Sequence, residues 1–521
     1  MNPEKLGEIY LTRIVAFHDS HNASVCEIKD KEIIYVQEAE RLDKNKRSAN
    51  IEVLVKKYKN QHIQKIIFTL NKVNEISKFN LFKYFLKKYN ITYDILNNYH
   101  EHHFFHACSA YYKSGFNQSY VLVSDGGGKK EKEKKEIISC YYFKKNKYKK
   151  IFKLYQTEKD KIQNKKEVHI NTFSLGNTFQ YFTKVLNFKE PGSIMGLSCY
   201  SKFKENDLYD DYNGHFKISP LFLFHHVRDD DSNVRKTSLI QKSTEKVILQ
   251  YVKNIIKNKK RNLCVSGGVF QNTVINSKIL DICSNLYVDP FADDSGLSVG
   301  AALFELNKKK YVNKKFNNLY LGDLPDYSFF TNKKSKNVSY SDVAKMIVEG
   351  NIIAIYQGRN ELGKRALGNR SFLYDPRDAS AKEKINLLKN REWFRPTAGT
   401  ILYEHRNNWF DLKSKDETPF MSYVFKVKNK KDIPGITHVD GTCRMQTLKK
   451  EQNFHYYNLI YNFYKITGVP ILLNTSFNLA GQPLVNNGYD AALTITNGKS
   501  YEMCNYLYLP ELGRLYNRED L

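Results

Sequence analysis

The sequence predicts an α/β chain made of two successive units, and three observations carry that expectation. Short β-branched and aromatic runs alternate with segments of helical period. Several of those runs end on a polar or acidic residue beside glycine. The pattern lapses once, after Leu306, and then restarts. A length of 521 residues, at roughly 150 residues per domain, leaves room for two or three units and a sizeable core. Apolar residues make up 41% and charged residues 26%, ordinary globular proportions that exclude a disordered chain.

The elements follow in order. RIVAFHD (13–19), SVCEIKD (24–30) and EIIYVQEAE (32–40) read as strands, the last two joined by a tight turn. KIIFTL (65–70) is a further strand and NLFKYFLKKYN (80–90) a helix. HHFFHACSAYYKSGF (102–116) reads as helical, and SYVLVSDGGG (119–128) as a strand ending in Asp and glycines. Residues 133–143 and 149–156 form a hairpin, and 129–136, KKEKEKKE, reads as its solvated tip. SLGNTFQYFTKVLNF (174–188) is a helix with Ser174 or Asn171 as cap. An amphipathic helix (245–260) leads to the strand RNLCVSGGV; a helix (271–283), a strand (284–290) and a helix rich in small residues (295–307) complete the first unit. Residues 308–336 lack a sustained period, which places the junction near residue 330, with units at 1–330 and 331–521. SDVAKMIVEG, capped by Ser341, and the strand NIIAIYQG open the second. No repeat of twenty to fifty residues is visible.

The formal net charge is +27. Lysine is spread through almost every segment, which reads as solvated surface and not as a nucleic-acid patch, so no specific nucleic acid is expected. The eight cysteines contain no CxxC pair, which excludes a zinc ribbon or a thioredoxin-like site. No signal-like h-region opens the chain and no apolar run is long enough to span a membrane; a reduced, cytoplasmic protein is expected.

Two groups of residues carry chemistry. His102 and His106, four apart on a helix, project from one face and can grip a metal ion, although a structural pair has the same spacing. Asp125 and Asp294 follow strands and sit beside glycines, where a carboxylate can hold a metal bridged to phosphate. Gly267 and Gly268 lie between a strand and a helix, where backbone N–H groups could approach a nucleotide or simply form a tight turn. In the second unit, 358–377 packs Arg359, Lys364, Arg365, Arg370 and Arg377 among glycines. KNREWFRPTAG adds Lys389, Arg391 and Arg395; HVDGTCRMQT adds His438, Asp440 and Arg444; and VPILLNTSFNLAGQPLV runs into Asn474, Ser476 and Asn478. Forked guanidinium groups among glycines suit phosphate or carboxylate.

The order HDSHNA, HHxxHA, VSDGGG, SLGNTF, GSIMGLS, SGGVFQN, DPFADDSG, ELGKRALGNRS, REWFRP, HVDGTCRMQT and NTSFNLAGQP resembles the carbamoyltransferase family of nodulation protein U and the cephamycin and tobramycin O-carbamoyltransferases. The resemblance implies an ASKHA-type domain followed by a YrdC-like α/β domain. It implies an enzyme that turns ATP and carbamoyl phosphate into carbamoyl adenylate, then carbamoylates a hydroxyl of a sugar, antibiotic or other metabolite. His102, His106, Asp125 and Asp294 match the family's metal positions, with iron the implied ion; Zn, Mn, Co or Mg would also suit. Gly126, Gly127, Gly267, Gly268 and Asn272 match nucleotide positions, and His18 a histidine that would orient or deprotonate the acceptor. Arg365, Lys389, Arg395, Arg444, Asn474 and Ser476 match carbamoyl phosphate positions. The chain departs from the family at Ser193 (a lysine there), Lys364 (a proline), Gln482 (a glutamate) and GGGKK after Asp125; Lys44 and Lys46 both remain candidates for its active-site lysine. A threonylcarbamoyl-type tRNA modifier and an inactive nucleotide-binding module are the alternatives.

Overall fold

The computed structural model describes residues 13–70, 75–131, 134–156, 161–164, 167–170, 174–202, 232–257, 259–308, 311–312, 314–318, 320–361, 363–497 and 503–521. The candidate cap Asn171 lies outside them.

Five strands make the first sheet: β1 (Arg13–Asp19), β2 (Ser24–Lys29), β3 (Glu32–Glu38), β4 (His62–Leu70) and β5 (Thr92–Tyr99), in the order β3-β2-β1-β4-β5. β1 pairs antiparallel with β2 and β2 with β3, whereas β1-β4 and β4-β5 are parallel. The core of the second sheet repeats this plan. β6 (Gln118–Ser124), β7 (Lys134–Lys144), β8 (Lys147–Gln156), β9 (Leu263–Ser266) and β10 (Leu286–Val288) are ordered β8-β7-β6-β9-β10. The first two pairs are antiparallel and the last two parallel. Two such sheets in succession make the duplicated ASKHA-type arrangement. The duplication was invisible as a short repeat because it preserves strand order and direction, not residues.

Each half sends one helix from its last strand into the interface. His102–Lys113 follows β5 and Gly296–Asn307 follows β10, and the two pack on each other. Every residue of His102–Lys113 is buried, as expected of a helix enclosed by two sheets. The crossing is close: a Cβ on Gly300 would lie 1.9 Å from the Phe105 carbonyl oxygen. Gly300→Ala must therefore push the helices apart, and a loss of about 1–3 kcal/mol is expected, read as a lower thermal midpoint.

The third sheet has ten strands, all from residues 336–517. At its centre Ile353–Tyr356, Arg370–Tyr374, Ile471–Ser476, Ala398–Leu402 and Thr442–Leu448 lie side by side, with Thr442–Leu448 parallel to Ala398–Leu402 and the other three pairings antiparallel. Its first helix starts at Tyr340, not after Ser341. Ser339 is the cap, because its hydroxyl accepts from the Asp342 N–H while the Asp342 carboxylate accepts from the Ser339 N–H, a reciprocal capping box. Ser174 caps Leu175–Val185 as expected. Strand β5 was missed from sequence because it is half exposed and carries Asp and Asn. The 129–136 run turns back as expected, Lys130–Glu131 pairing with Lys134 and Lys135. It is not solvated throughout, since Glu136 is buried against Lys153. All eight cysteines are free. Among the described residues no helix is long and apolar enough to cross a membrane.

Candidate metal centre and anion pocket

The duplicated topology brings strand ends and helix starts together. His102 and His106 occupy the first turns of one crossing helix, and Asp294 stands just before the other. Asp125 follows β6. His102 Nε2 lies 3.1 Å from Asp125 Oδ2 and 3.5 Å from Asp294 Oδ1; His106 Nε2 lies 3.9 Å and 3.7 Å from the same atoms. One ligand atom from each of the four residues falls within 4.8 Å of all the others. Burial opposes ionisation of Asp125, yet the His102 hydrogen bond brings it down to about 2, and Asp294 is likewise held below its ordinary value by the two imidazoles against the cost of burial. His106 Nε2 is buried with no hydrogen-bond partner. Two facing carboxylates, two imidazoles and an unused buried lone pair fit a divalent transition ion.

Flanking loops shape the group. Gly268 N donates to Asp125 Oδ1 at 2.9 Å, and Ser20 Oγ donates to Asp294 Oδ2 at 3.3 Å. Gly267 has φ +98°, and a Cβ there would sit 2.3 Å from the Ser124 carbonyl oxygen, so only glycine serves. His18, at the end of β1, lies beside His102, with ring centroids 6.3 Å apart. The hydroxyl of Thr69 donates to the Phe17 carbonyl, so it accepts from His18 Nδ1–H at 2.8 Å. The lone pair is therefore on Nε2, which is buried without a partner. Burial pushes the His18 imidazole down to about 3, so it is neutral.

The second cluster lies where the ten-stranded sheet meets the N-terminal half. Arg444 is enclosed and its Nε is unpartnered. Burial, then the guanidinium groups of Arg365, Arg391 and Arg395, lower its pKa. Arg391 Nη2 is also buried without a partner. Arg395 Nη1 donates to Ser193 Oγ (2.6 Å) and Nη2 pairs with Glu190 (3.1 Å). Lys389 donates to Ser476 Oγ at 3.0 Å and to Asn478 Oδ1 at 2.9 Å. Burial lowers the Lys389 pKa first, and Arg391 lowers it further. Closely set cations, with Lys389 buried, the arginines half-buried and the N–H groups of Arg391 Nη2 and Arg444 Nε unpartnered, suit an anion.

Comparison with known proteins identifies the family to which the chain belongs. Residues 200–303 match the family described as Carbamoyltransferase N-terminus, and residues 344–509 that described as Carbamoyltransferase C-terminus. The chain is 30% identical over 506 residues to the uncharacterized protein MJ1058 of Methanocaldococcus jannaschii, covering 84% of this chain and 81% of that one. It belongs to the carbamoyltransferase family. It is 32% identical to nodulation protein NolNO of Sinorhizobium fredii, over 75% of this chain and 61% of that one. It is 33% identical to nodulation protein U of Azorhizobium caulinodans, over 43% and 41%. A crystal structure of full-length HypF in the phosphate- and nucleotide-bound form is 13% identical with TM-score 0.40, over 59% of this chain and 56% of that one.

This carbamoyltransferase places its remaining candidate residues unevenly. Gly126 accepts from Ser174 Oγ, and a Cβ on Gly127 would lie 1.7 Å from Lys135 Cε, so this loop is hemmed in by a lysine. Asn272 caps the helix Thr273–Ile282, accepting from Ile275 N–H at 3.2 Å, and its amide donates to Gln241. Asn474 lies deeper than the cations, its amide donating to Ala366 O and Thr400 Oγ1 while its Oδ1 stays unpartnered. Arg365 donates to the Gln271 carbonyl at 2.9 Å, across to the N-terminal half. Its neighbour Lys364 also reaches across, 3.0 Å from Asp293 and 3.8 Å from Glu40. Of the two candidate lysines, Lys46 pairs with Glu190, the partner of Arg395, while Lys44 pairs with Asp490. Arg391 stood in the cation cluster read from KNREWFRPTAG but not among the positions matched to carbamoyl phosphate, and the structure sets it beside Arg444. Glu190 carried no signal, and the contacts of Ser193 and Lys364, noted from sequence only as departures from the family, exist through partners distant in sequence.

Proposed function

We infer that this carbamoyltransferase forms carbamoyl adenylate from ATP and carbamoyl phosphate in a YrdC-like unit at 331–521. The carbamoyl group then passes to an acceptor hydroxyl in the unit at 1–330. The observation that carries the reading is a pair of sites of opposite character, a half-buried cation pocket and a buried histidine–carboxylate group, joined by adjacent residues. Arg365 belongs to the pocket, and Lys364 touches Asp293, the neighbour of Asp294.

In the pocket, Lys389, Arg391, Arg395 and Arg444 with Arg365 would gather the phosphate charges of both substrates, with Ser476 alongside Lys389. Carbamoyl phosphate, ATP and one water give carbamoyl adenylate, pyrophosphate and phosphate. His102, His106, Asp125 and Asp294 would hold the metal, which supplies a Lewis acid for the adenylate phosphate. Gly267 and Gly268 would border the nucleotide, their close packing on Ser124 and Asp125 holding that loop beside the metal group. His18, neutral with its lone pair on Nε2, would accept the hydroxyl proton as the acceptor oxygen attacks the carbamoyl carbon and AMP leaves. The free thiols suit a reducing cytoplasm.

The test incubates the enzyme with ATP, carbamoyl phosphate and a panel of sugars and hydroxylated metabolites, read by mass spectrometry for one added carbamoyl group and by AMP release. A parallel arm offers tRNA at low and near-physiological salt. The expected outcome is a carbamoylated small molecule, no modified nucleoside, and RNA binding that weakens with log K linear in log salt. A carbamoyl product on tRNA would overturn this reading in favour of a tRNA modifier.

A further inference from the structure

Behind the metal-facing edge of His106 runs a buried chain of polar groups that ends in a lysine. His106 Nδ1 lies 3.3 Å from Ser266 Oγ, which lies 3.3 Å from Asp289 Oδ2. The other oxygen, Asp289 Oδ1, accepts from the Lys113 ammonium and, at 3.0 Å, from the Phe291 N–H. All four side chains are essentially excluded from solvent: His106 and Ser266 at 0% exposure, Asp289 and Lys113 at 1%. Lys113 is further held 4.1 Å from the Phe291 ring centroid.

Proton counting orients this chain. An ionised Asp289 beside Lys113 only accepts hydrogen bonds. Ser266 has one proton, and it goes to Asp289. Its lone pair then accepts from His106 Nδ1–H, which leaves the lone pair of His106 on Nε2. The opposite arrangement is worse at both ends. Ser266 would abandon Asp289 Oδ2, and His106 would aim an Nε2–H at Asp125 and Asp294 from 3.9 Å and 3.7 Å, beyond hydrogen-bond reach. A buried ion pair costs desolvation, and full packing with apolar residues often serves stability as well. This pair instead faces a histidine ligand through one hydroxyl.

We propose that Ser266, Asp289 and Lys113 are positioning residues that fix His106 as its Nδ1–H tautomer and present Nε2 to the metal. The proposal rests on the metal reading of the His102, His106, Asp125 and Asp294 group. Removing the hydroxyl leaves Nδ1–H without an acceptor and lets the ring exchange tautomers or turn away.

The experiment uses the full chain stripped of metal. Histidine 15N spectra, with the His106 resonances assigned through His106→Gln, read the tautomer directly, and Zn2+ titration reads affinity. In the wild type, His106 is expected as the Nδ1–H form. Ser266→Ala should mix the tautomers and weaken Zn2+ binding about 10–100-fold. Ser266→Thr, which keeps the hydroxyl, should restore both. Asp289→Asn, which retains shape, should resemble Ser266→Ala, and circular dichroism checks that each variant folds. A wild-type Nε2–H tautomer, or Ser266→Ala with unchanged tautomer and unchanged affinity, overturns the proposal. A wild type that takes up no Zn2+ overturns the metal reading alone, because the tautomer is still read in the metal-free chain.

Discussion

His106→Ala should lose carbamoyl transfer and most of its bound metal while keeping the fold. The group offers four candidate ligands, and even partners that only orient a ligand are worth about 10–100-fold in affinity, so deleting a ligand outright should cost more. The fold should survive because the removed Nε2 makes no hydrogen bond in the protein, and alanine suits the interior of the helix His102–Lys113. Metal analysis after gel filtration, acceptor carbamoylation and circular dichroism check the three parts. Normal turnover with normal metal content would remove His106 from the ligand set.

The second large effect is expected at Arg444, where stability and activity should move in opposite directions. Its guanidinium is buried against Arg365, Arg391 and Arg395, which lower its pKa after burial itself. The folded, substrate-free chain therefore holds this cation at a cost. Arg444→Ala should leave the thermal midpoint at or above that of the wild type. Adenylate formation from ATP and carbamoyl phosphate should nevertheless fall about 10²–10³-fold, the scale set by removing one preorganised donor. Supplying carbamoyl adenylate should restore transfer to the acceptor, because the metal group lies in the other half of the chain. A variant that makes the adenylate normally but cannot transfer the carbamoyl group would place Arg444 in the wrong site.

Local features of both sites could be read from sequence because they depend on neighbours along the chain. The i, i+4 spacing of His102 and His106 places both imidazoles on one helix face wherever that helix goes. Asp125 follows the apolar strand Gln118–Ser124 directly, and Asp294 lies in the glycine-bearing turn after the short strand Leu286–Val288. The density of arginine between residues 358 and 395 likewise shows before any contact is known. Capping was legible at Ser174 but two residues off at Ser339, because Ser341 and Ser339 offer the same hydroxyl and only the reciprocal bond with Asp342 separates them. Glu136 looked like part of a solvated charge run; its burial depends on Lys153 from the adjacent strand.

The amino-acid sequence by itself determined most of the elements, the family and the chemical character of each cluster, since periodicity and motif order are properties of nearby residues. Only the tertiary structure decided which groups meet. It brought Asp125 and Asp294 to one pair of histidines through two sheets of the same strand order, and packed Gly300 against Phe105 so that the helices carrying those groups could cross. It also set Lys364 against Asp293, tied Asn272 into a helix cap and ran Lys113 and Asp289 through Ser266 to His106. Hydrogen bonds and ion pairs act over a few ångströms in space, and separation along the chain does not predict which distant groups will come within that reach.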